Sequence, residues 1–390
     1  MNIALADRMA PLAQEGIFSV LAQTRARLAA QGMDIIDLSV GSPDQAPEPF
    51  VITAMQEALS VPENFQYALT DRTQLRQAAA AWYARRFQVE LDPEEEIVSL
   101  LGSQDGLAHI CLALINAGDT VLVHNPGYPV FHAGPQLAQA ELYPMPQPRS
   151  RGYVVDLAAI PTQVAKQAKL MILNYPNNPT TVLAPEGFFR DVVAFARDYD
   201  LMVVHDNAYC ELVFDGQVCG SFLQTPGAKE VGLEFNSLSK TYNFAGARMG
   251  FALGNRDMVA ALRLLKSHVD YGAFLPVQAG ATALLTGPQD SVARTRAAYE
   301  ARRNMLCDGL TAAGWPVARP AATMFVWAPI PGRYATAADF ALQLAERTGV
   351  IVTPGEAFGP DGAGHVRMAL VQSPERMAQA VRRVAESGVL

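Results

Sequence analysis

The chain has 390 residues, of which half are apolar and 17% are charged, and its formal net charge is −8. This length exceeds a single compact core and predicts two domains, while the negative charge argues against non-specific nucleic-acid binding. Four cysteines show neither a CxxC pair nor zinc-ligand spacing, so no metal site is expected.

The predicted elements begin with a helix at about residues 17–30, which ends before Gly32. The segment before it, MNIALADRMAPLAQEG, lacks the apolar stretch of a signal peptide. No run reaches the roughly 18 apolar residues that a membrane span needs. We therefore expect a cytoplasmic protein that does not contact a membrane.

A short strand in MDIIDLSVG comes next, and from about residue 50 to 275 helical stretches alternate with short apolar strands. The clearest strands lie at residues 120–124, 169–174, 201–206, 233–237 and 249–254. This alternation indicates crossover units, and it predicts an α/β fold with a mostly parallel central sheet and helices on both faces.

After about Gln278 the pattern changes to a long helix reaching Ala313, the strand MFVWAPI, a further helix, two short strands and a last helix. Mixed elements of this kind indicate a smaller α+β domain. We predict a large α/β domain at residues 46–277 and a small α+β domain made of residues 1–45 and 278–390.

Polar clusters stand at the ends of three predicted strands, at residues 174–179, 205–209 and 236–240. Ligands of open parallel sheets bind at the carboxyl edge of the strands. We therefore expect the three clusters to meet in one cleft.

Lys240 lies in the third cluster, within NSLSKTYNFAGARMG, and is one of only five lysines beside 25 arginines. An amine can lose its proton and attack a carbonyl, which a guanidinium cannot do. The hydroxyls of Ser237 and Ser239 and the guanidinium of Arg248 suit a phosphate monoester. This combination predicts pyridoxal 5′-phosphate held as a Schiff base on Lys240; the alternative is a solvated lysine in a Ser-rich loop.

Two further residues fit the same cofactor, each with a plainer alternative. Ser103 opens a predicted helix, where free backbone N–H groups bind a phosphate, although it can also act only as the N-cap. Asp206 ends a buried strand, where it can keep a pyridinium nitrogen protonated so that the ring acts as an electron sink. Otherwise it is a structural carboxylate bonded to backbone amides.

The remaining candidates are Asn178, Tyr209, Tyr128 and Arg367. Asn178 and Tyr209 can donate hydrogen bonds to the cofactor phenolate, although Asn178 also suits a turn. Tyr128 can stack on the ring or lie in a surface loop. Arg367 sits in the apolar strand GHVRMAL, where it requires a carboxylate, either that of an amino-acid substrate or that of a structural salt bridge.

Over nearly its whole length the chain resembles the class I/II, fold-type I pyridoxal-phosphate aminotransferases. The nearest branch is that of the LL-diaminopimelate aminotransferases and their aspartate/alanine-type relatives. The matching stretches are IDLSVGSPD, LLGSQDGLAHI, NPGYPVF, LNYPNNPT, VHDNAYCELVFDG, EFNSLSKTYNFAGARMGFALGN, VTPGEAFGP and VRMALV.

The resemblance implies a role for each candidate. Lys240 is the Schiff-base lysine and proton shuttle, Asp206 binds the ring nitrogen, and Tyr128 stacks on the ring. Arg367, with Asn178 and the backbone at Gly41, binds the substrate carboxylate. Tyr67 reaches the phosphate of the neighbouring subunit, which makes the active unit a homodimer. Asn178 and Tyr209 bind the phenolate oxygen of the cofactor. Its phosphate is bound by Ser103, Gln104, Ser237, Ser239 and Arg248.

The chain departs from the family in regions that face the substrate. Residues 67–76 lack the family's usual glycine, and Thr70 stands where diaminopimelate-specific members can carry an acid. Arg72 is the candidate for a second, side-chain-binding arginine. In addition, residues 16–18 replace a tyrosine that many relatives have.

We therefore predict a ping-pong transaminase that uses aspartate, glutamate or alanine with 2-oxoglutarate at least as well as LL-diaminopimelate. The alternatives are an LL-diaminopimelate-specific enzyme of lysine biosynthesis, a pyridoxal-phosphate-dependent carbon–sulfur lyase, and a non-catalytic regulator on the same fold. The regulator lacks support, because the sequence has no helix-turn-helix extension or basic arm.

Overall fold

A seven-stranded sheet forms the centre of the protein, whose computed structural model describes residues 3–13 and 17–390. The strands of the described residues are β1 (Ile36–Asp37), β2 (Ile97–Leu100), β3 (Thr120–Val123), β4 (Glu141–Pro144), β5 (Ala168–Asn174), β6 (Met202–Asp206), β7 (Gly232–Ser237), β8 (Gly250–Gly254), β9 (Phe325–Pro329), β10 (Val350–Ile351), β11 (Thr353–Pro354) and β12 (His365–Ala369). The central sheet has the order β2-β8-β7-β6-β5-β3-β4. β8 runs antiparallel to both of its neighbours and the other pairings are parallel.

Helices connect these strands and cover the sheet. The α-helices of the described residues are α1 (Ile17–Ala30), α2 (Pro49–Leu59), α3 (Thr73–Phe87), α4 (Ser103–Leu114), α5 (Val130–Leu137), α6 (Thr162–Gln167), α7 (Phe188–Tyr199), α8 (Ala228–Val231), α9 (Leu238–Thr241), α10 (Arg256–Val269), α11 (Leu275–Thr286), α12 (Asp290–Ala312), α13 (Ala337–Thr348) and α14 (Pro374–Glu386). Among these helices, none has the length and apolar character needed to cross a membrane.

Strand β5 shows why the sheet is covered on both faces. Its side chains alternate between two hydrophobic clusters, because successive residues of a strand point to opposite faces. Leu170 and Ile172 pack with residues of α4 and α10, and Met171 and Leu173 pack with residues of α3, α7 and α11. A strand that is buried on both faces is a nearly continuous apolar run, as residues 170–173 are here. The predicted fold class is thus confirmed.

A second group of elements surrounds a three-stranded antiparallel sheet of order β11-β12-β9, beside the parallel pair β1 and β10. Leu306 of α12, Leu344 of α13 and Val384 of α14 share one hydrophobic cluster with these strands. This arrangement is compatible with a small α+β domain. The boundaries at residues 45/46 and 277/278 stay a prediction.

The predicted elements differ from the structure in two respects. The long helix expected after Gln278 is two helices, α11 and α12, because Gly287 and Pro288 interrupt it and proline breaks the helical hydrogen-bond pattern. Strands β2 and β4 were not predicted. Both have only four residues, and β4 lies at the sheet edge with its side chains partly exposed.

Candidate active site

The carboxyl ends of β5, β6 and β7 open into a cleft of about 610 Å³. Asn174, Asp206 and Ser237 are the last residues of these three strands, and all of them line the cleft. The predicted meeting of the polar clusters is therefore observed. Twelve of the candidate residues line this one cleft, namely Gly41, Ser103, Gln104, Tyr128, Asn178, Asp206, Tyr209, Ser237, Ser239, Lys240, Arg248 and Arg367.

Lys240 lies in α9, the short helix that directly follows β7. Burial lowers the pKa of the Lys240 amine, and the positive charge of Arg248 lowers it further, while Asp206 opposes the shift. The amine lies 6.0 Å from the ring centre of Tyr209. A buried lysine with a lowered pKa is the form in which an amine acts as a nucleophile or a base.

Asp206 is buried at the end of β6, and its Oδ1 has no hydrogen-bond partner among the described residues. Burial raises the pKa of its carboxyl to about 6, against the lowering effects of His205 and Lys240. An unsatisfied buried carboxylate oxygen is costly. The free oxygen thus suits a protonated ring nitrogen in the cleft.

The predicted phosphate site lies where α4 begins. Gly102 precedes this helix with φ of +82°, and a Cβ added there would collide with the guanidinium of Arg248. Ser103 is the first residue of α4, and the Ser237 hydroxyl accepts a hydrogen bond from the Ser239 N–H at 3.2 Å. Helix N–H groups, hydroxyls and a guanidinium are together a set of anion donors.

Tyr128 and Gln104 are linked at the side of the cleft. The Tyr128 hydroxyl donates to Oε1 of Gln104 at 3.1 Å. Tyr128 lies beside the residues that would surround a ring, and it lines the cleft rather than an open surface loop.

Arg367 reaches the cleft from β12 and is almost completely buried. Its Nη1 donates to Asn178 Oδ1 at 2.9 Å and its Nη2 donates to the Ser39 carbonyl at 2.8 Å. Its guanidinium carbon lies 4.1 Å from the ring centre of Phe325 and 4.6 Å from that of Phe358.

The charge of Arg367 is not neutralised by any carboxylate among the described residues, and its Nε lacks a hydrogen-bond partner there. Burial lowers the pKa of this guanidinium to about 10. The structural salt bridge considered above is therefore not found in the described part of the chain. The geometry favours a carboxylate that arrives with a ligand.

Gly41 lies at the same end of the cleft, where there is no room for a side chain. A Cβ at this position would overlap the Phe325 ring, which stacks on Arg367. The glycine therefore allows the backbone to approach the arginine site closely.

Three residues of the substrate-facing loop, Tyr67, Thr70 and Arg72, do not line this cleft. The Tyr67 side chain is 83% exposed and does not line the cleft of its own chain. The Arg72 guanidinium binds the Asn64 side chain, so its assignment as a second substrate-binding arginine is not supported within this chain. Thr70 lines a different cavity. Of residues 16–18, Gly16 and the side chains of the other two lie outside the described residues.

Some cleft residues were missed by the sequence reasoning. Asn174 accepts the Asn178 N–H at 2.8 Å through its side-chain oxygen and donates to the Asp206 carbonyl at 2.9 Å, so it connects two strand ends. Its place at the end of a predicted strand was a usable signal. Ser39 acts through its backbone carbonyl, and Phe325 acts by packing against Arg367. The sequence carries no specific signal for either contact.

The described residues fit pyridoxal 5′-phosphate. The unpaired Oδ1 of Asp206 suits a ring nitrogen, the buried Lys240 amine suits an aldehyde, and the start of α4 suits a phosphate. These groups line one cleft together with Arg367, which has no carboxylate partner among the described residues.

Comparisons with known proteins agree with this site. Residues 33–384 match the family model "Aminotransferase class I and II". The chain is 47% identical to the LL-diaminopimelate aminotransferase of Moorella thermoacetica over 369 residues, which is 94% of each chain. The apo structure of BacF from Bacillus subtilis has a TM-score of 0.95 and 37% identity, covering 99% of this chain and 98% of that one. A Thermus thermophilus aspartate aminotransferase mutant has a TM-score of 0.92 and 26% identity, covering 100% of both chains.

Fold and cleft together define a pyridoxal-phosphate-dependent transaminase of fold-type I. The chain belongs to the class I and II aminotransferase family. Its cofactor is pyridoxal 5′-phosphate, as the sequence predicted.

Proposed function

We propose that this transaminase exchanges the amino group of LL-diaminopimelate with 2-oxoglutarate, in the cleft formed by Lys240, Asp206 and Arg367. The observation that carries the proposal is the buried Arg367, whose hydrogen-bond partners among the described residues are neutral and which lies in the same cleft as the buried lysine. An α-carboxylate is the ligand that this arginine lacks. An amino-acid substrate bound there brings its Cα into the same cleft as Lys240.

Each residue then has a defined task. Lys240 holds the cofactor through its amine and, when released, moves the proton of the substrate Cα, for which its lowered pKa suits it. The bound cofactor supplies an electron sink for the negative charge that develops at Cα. Asp206 keeps the ring nitrogen protonated, and Asn178 and Tyr209 donate hydrogen bonds to the phenolate oxygen. Ser103, Gln104, Ser237, Ser239 and Arg248 hold the phosphate, and Tyr128 packs beside the ring.

Two findings favour LL-diaminopimelate over the acidic donors predicted from the loop. The Moorella relative carries the name LL-diaminopimelate aminotransferase, as do further relatives at 42–45% identity. The case for an acidic side chain depended on Arg72, which is bound to Asn64 in this structure. The distal end of LL-diaminopimelate carries both an ammonium and a carboxylate, so a single loop cation does not decide against it.

We also propose that the active unit is a cytoplasmic homodimer. An aromatic patch supports the dimer and consists of the exposed residues Phe65, Tyr67, Tyr271 and Phe274, and Leu69 of the same segment is also exposed. The rings of Phe65 and Phe274 lie 5.6 Å apart, and those of Tyr67 and Tyr271 lie 5.9 Å apart. Exposed aromatic pairs of this kind are a typical interface feature.

Steady-state assays with a panel of donors test the substrate directly. With 2-oxoglutarate as the acceptor, we expect kcat/KM for LL-diaminopimelate to exceed that for aspartate, glutamate and alanine by ~10-fold or more, which is about 1.4 kcal/mol. Equal or better use of the three smaller donors contradicts the substrate proposal. Ammonia release from a cysteine conjugate in the absence of an acceptor would favour a carbon–sulfur lyase instead.

A further inference from the structure

Two fully buried histidines near the cleft differ in the partners of their ring nitrogens. His124 follows β3, and His205 is the fourth residue of β6, directly before Asp206. The partners of a buried histidine define how many protons the ring carries, because each nitrogen either donates or accepts.

His124 has one acceptor and one donor as partners. Its Nδ1 lies 2.7 Å from Oε1 of Gln147, and its Nε2 accepts the Asn174 N–H at 2.9 Å. The Gln147 amide is oriented by two further contacts, since its Oε1 accepts the Asn125 N–H and its Nε2 donates to the Tyr153 carbonyl. His124 therefore carries a proton on Nδ1 only and is neutral, in agreement with a pKa that burial lowers to about 4.

His205 has two acceptors as partners. Its Nε2 lies 2.9 Å from the carbonyl oxygen of Tyr175, which can only accept, so this nitrogen carries a proton. Its Nδ1 lies 2.9 Å from Oε2 of Glu234, the residue opposite it in the β6–β7 register. The charge of the ring thus depends on whether Glu234 is a carboxylate.

The surroundings of Glu234 indicate the carboxylate. Its Oε1 accepts from the Tyr83 hydroxyl at 2.8 Å and from the Ser221 hydroxyl at 2.9 Å, and its Oε2 accepts the Phe222 N–H at 2.8 Å. Three donors thus point at one carboxyl group, which matches an acceptor-only carboxylate, and such a carboxylate requires a proton on the ring nitrogen that faces it. Both ring nitrogens of His205 then carry protons.

We propose that His205 is a stable imidazolium paired with Glu234, and that it is a positioning residue whose charge keeps the neighbouring, buried Asp206 ionised. The proposal depends on the role of Asp206 at the ring nitrogen given above. His205 acts through its field, because consecutive strand residues point to opposite faces of the sheet.

The charges around Asp206 agree with this role. Burial is the largest influence on the Asp206 carboxyl and raises its pKa, and the charge of His205 is the largest influence that lowers it, ahead of Lys240. Glu234 raises the same pKa less than His205 lowers it. Among the described residues, Tyr128 and Tyr209 also interact with Asp206, and the neutral His124 interacts with His205.

The charge of His205 can be read in the unmodified apo protein by NMR of ¹⁵N-labelled histidine. The chain has six histidines, and the His205→Gln and His124→Gln variants assign the two signals. We expect two protonated ring nitrogens for His205 and one for His124 between about pH 6 and 8. A His205 ring with a single proton in this range overturns the proposal, whatever the role of Asp206.

The effect on Asp206 is tested by Glu234→Gln, which deletes an anion. If Glu234 keeps His205 charged, the variant loses the imidazolium too, and the midpoint of Asp206 ionisation moves up by about one pH unit. If His205 were neutral, deleting the anion would lower the midpoint or leave it unchanged, and this result rejects the proposal. Infrared titration of the protonated carboxyl band in the apo protein measures the midpoint, and Asp206→Asn identifies the band.

Equilibrium binding of pyridoxal 5′-phosphate to the apo variant separates the two proposals. Weaker binding by Glu234→Gln at neutral pH, together with the raised midpoint, supports both. A raised midpoint with unchanged cofactor binding supports the charge of His205 but counts against Asp206 as the partner of the ring nitrogen. Should the variant fail to fold, the NMR measurement on the unmodified protein still decides the charge of His205.

Discussion

Asp206 and Arg367 are buried charged side chains, and each has a polar atom without a partner among the described residues. Such atoms reduce the stability of a folded protein unless a ligand satisfies them. At the scale of single residues, the site is therefore preformed for the ring nitrogen and the carboxylate that it lacks.

Replacing Arg367 by alanine should weaken every amino donor to a similar degree. The expected loss in kcat/KM is about 2–5 kcal/mol, the range for removing one partner of a buried charge pair. Arg319→Ala is the matched control, because this arginine is exposed and pairs with Asp308 at the surface. A loss confined to one donor would show that Arg367 reads a side chain instead.

Asp206→Asn should lower the rate by at least ~10²-fold, the scale of losing one strong electrostatic stabiliser, while it stabilises the apo protein. The folded-state pKa is raised from 3.8 to about 6, so the carboxylate costs stability once the pH rises through this window. Above pH 6 the variant should be more stable by about 3 kcal/mol. Below about pH 4 the difference should disappear.

Urea unfolding of the apo proteins above pH 6 and below about pH 4 measures this difference in stability. Because the wild type and the variant share all other carboxyl groups, the contributions of those groups cancel in the comparison. Equal stability of the two proteins at neutral pH would mean that Asp206 is satisfied by the protein itself, as a structural carboxylate.

Among the elements, the start of α4 and the loop before β8 meet at the proposed phosphate site, although they are far apart in the sequence. Gly102 allows this contact because it has no side chain at the place where Arg248 lies. Ser237 and Ser239 approach from the end of β7 and the start of α9.

Gly102→Ala should lower the affinity for pyridoxal 5′-phosphate by displacing Arg248. Gly118→Ala is the matched control, because Gly118 has a similar φ of +86° against +82°, and no described atom lies within 4 Å of its added Cβ. Both variants should lose about 1 kcal/mol of stability from backbone strain. Only the first should bind the cofactor more weakly in equilibrium titration, and equal affinities would contradict the contact.

The elements that build the site could largely be predicted from the sequence. β5 and β6 contain apolar runs that end in polar residues, whereas β7 is a buried strand with Glu234 in its interior, and the carboxyl ends of all three indicate the cleft. The contacts that complete the site could not be predicted. The stacking of Arg367 between Phe325 and Phe358 and the link through Asn174 depend on tertiary packing between distant segments.

For the whole molecule, the proposed homodimer implies that two chains share a site. Tyr67 lies outside the cleft of its own chain and within the exposed aromatic patch. A residue that the family resemblance assigns to a phosphate must then reach the cleft of a partner chain.

Mixing Tyr67→Phe and Lys240→Ala proteins should restore activity beyond the residual level of either parent. A hybrid dimer with a shared site contains one cleft with both Lys240 and a partner's tyrosine. Subunit exchange is verified by mass spectrometry of differently labelled chains. Verified exchange without any gain in activity would count against a shared site.

The central claim is that Lys240 carries the cofactor, and borohydride reduction of the loaded protein tests it most directly. Reduction makes the bond between cofactor and amine permanent, and peptide mapping then locates it. We expect the adduct on Lys240, the buried lysine whose pKa is lowered. An adduct on Lys166, Lys169, Lys229 or Lys266 instead would contradict the account.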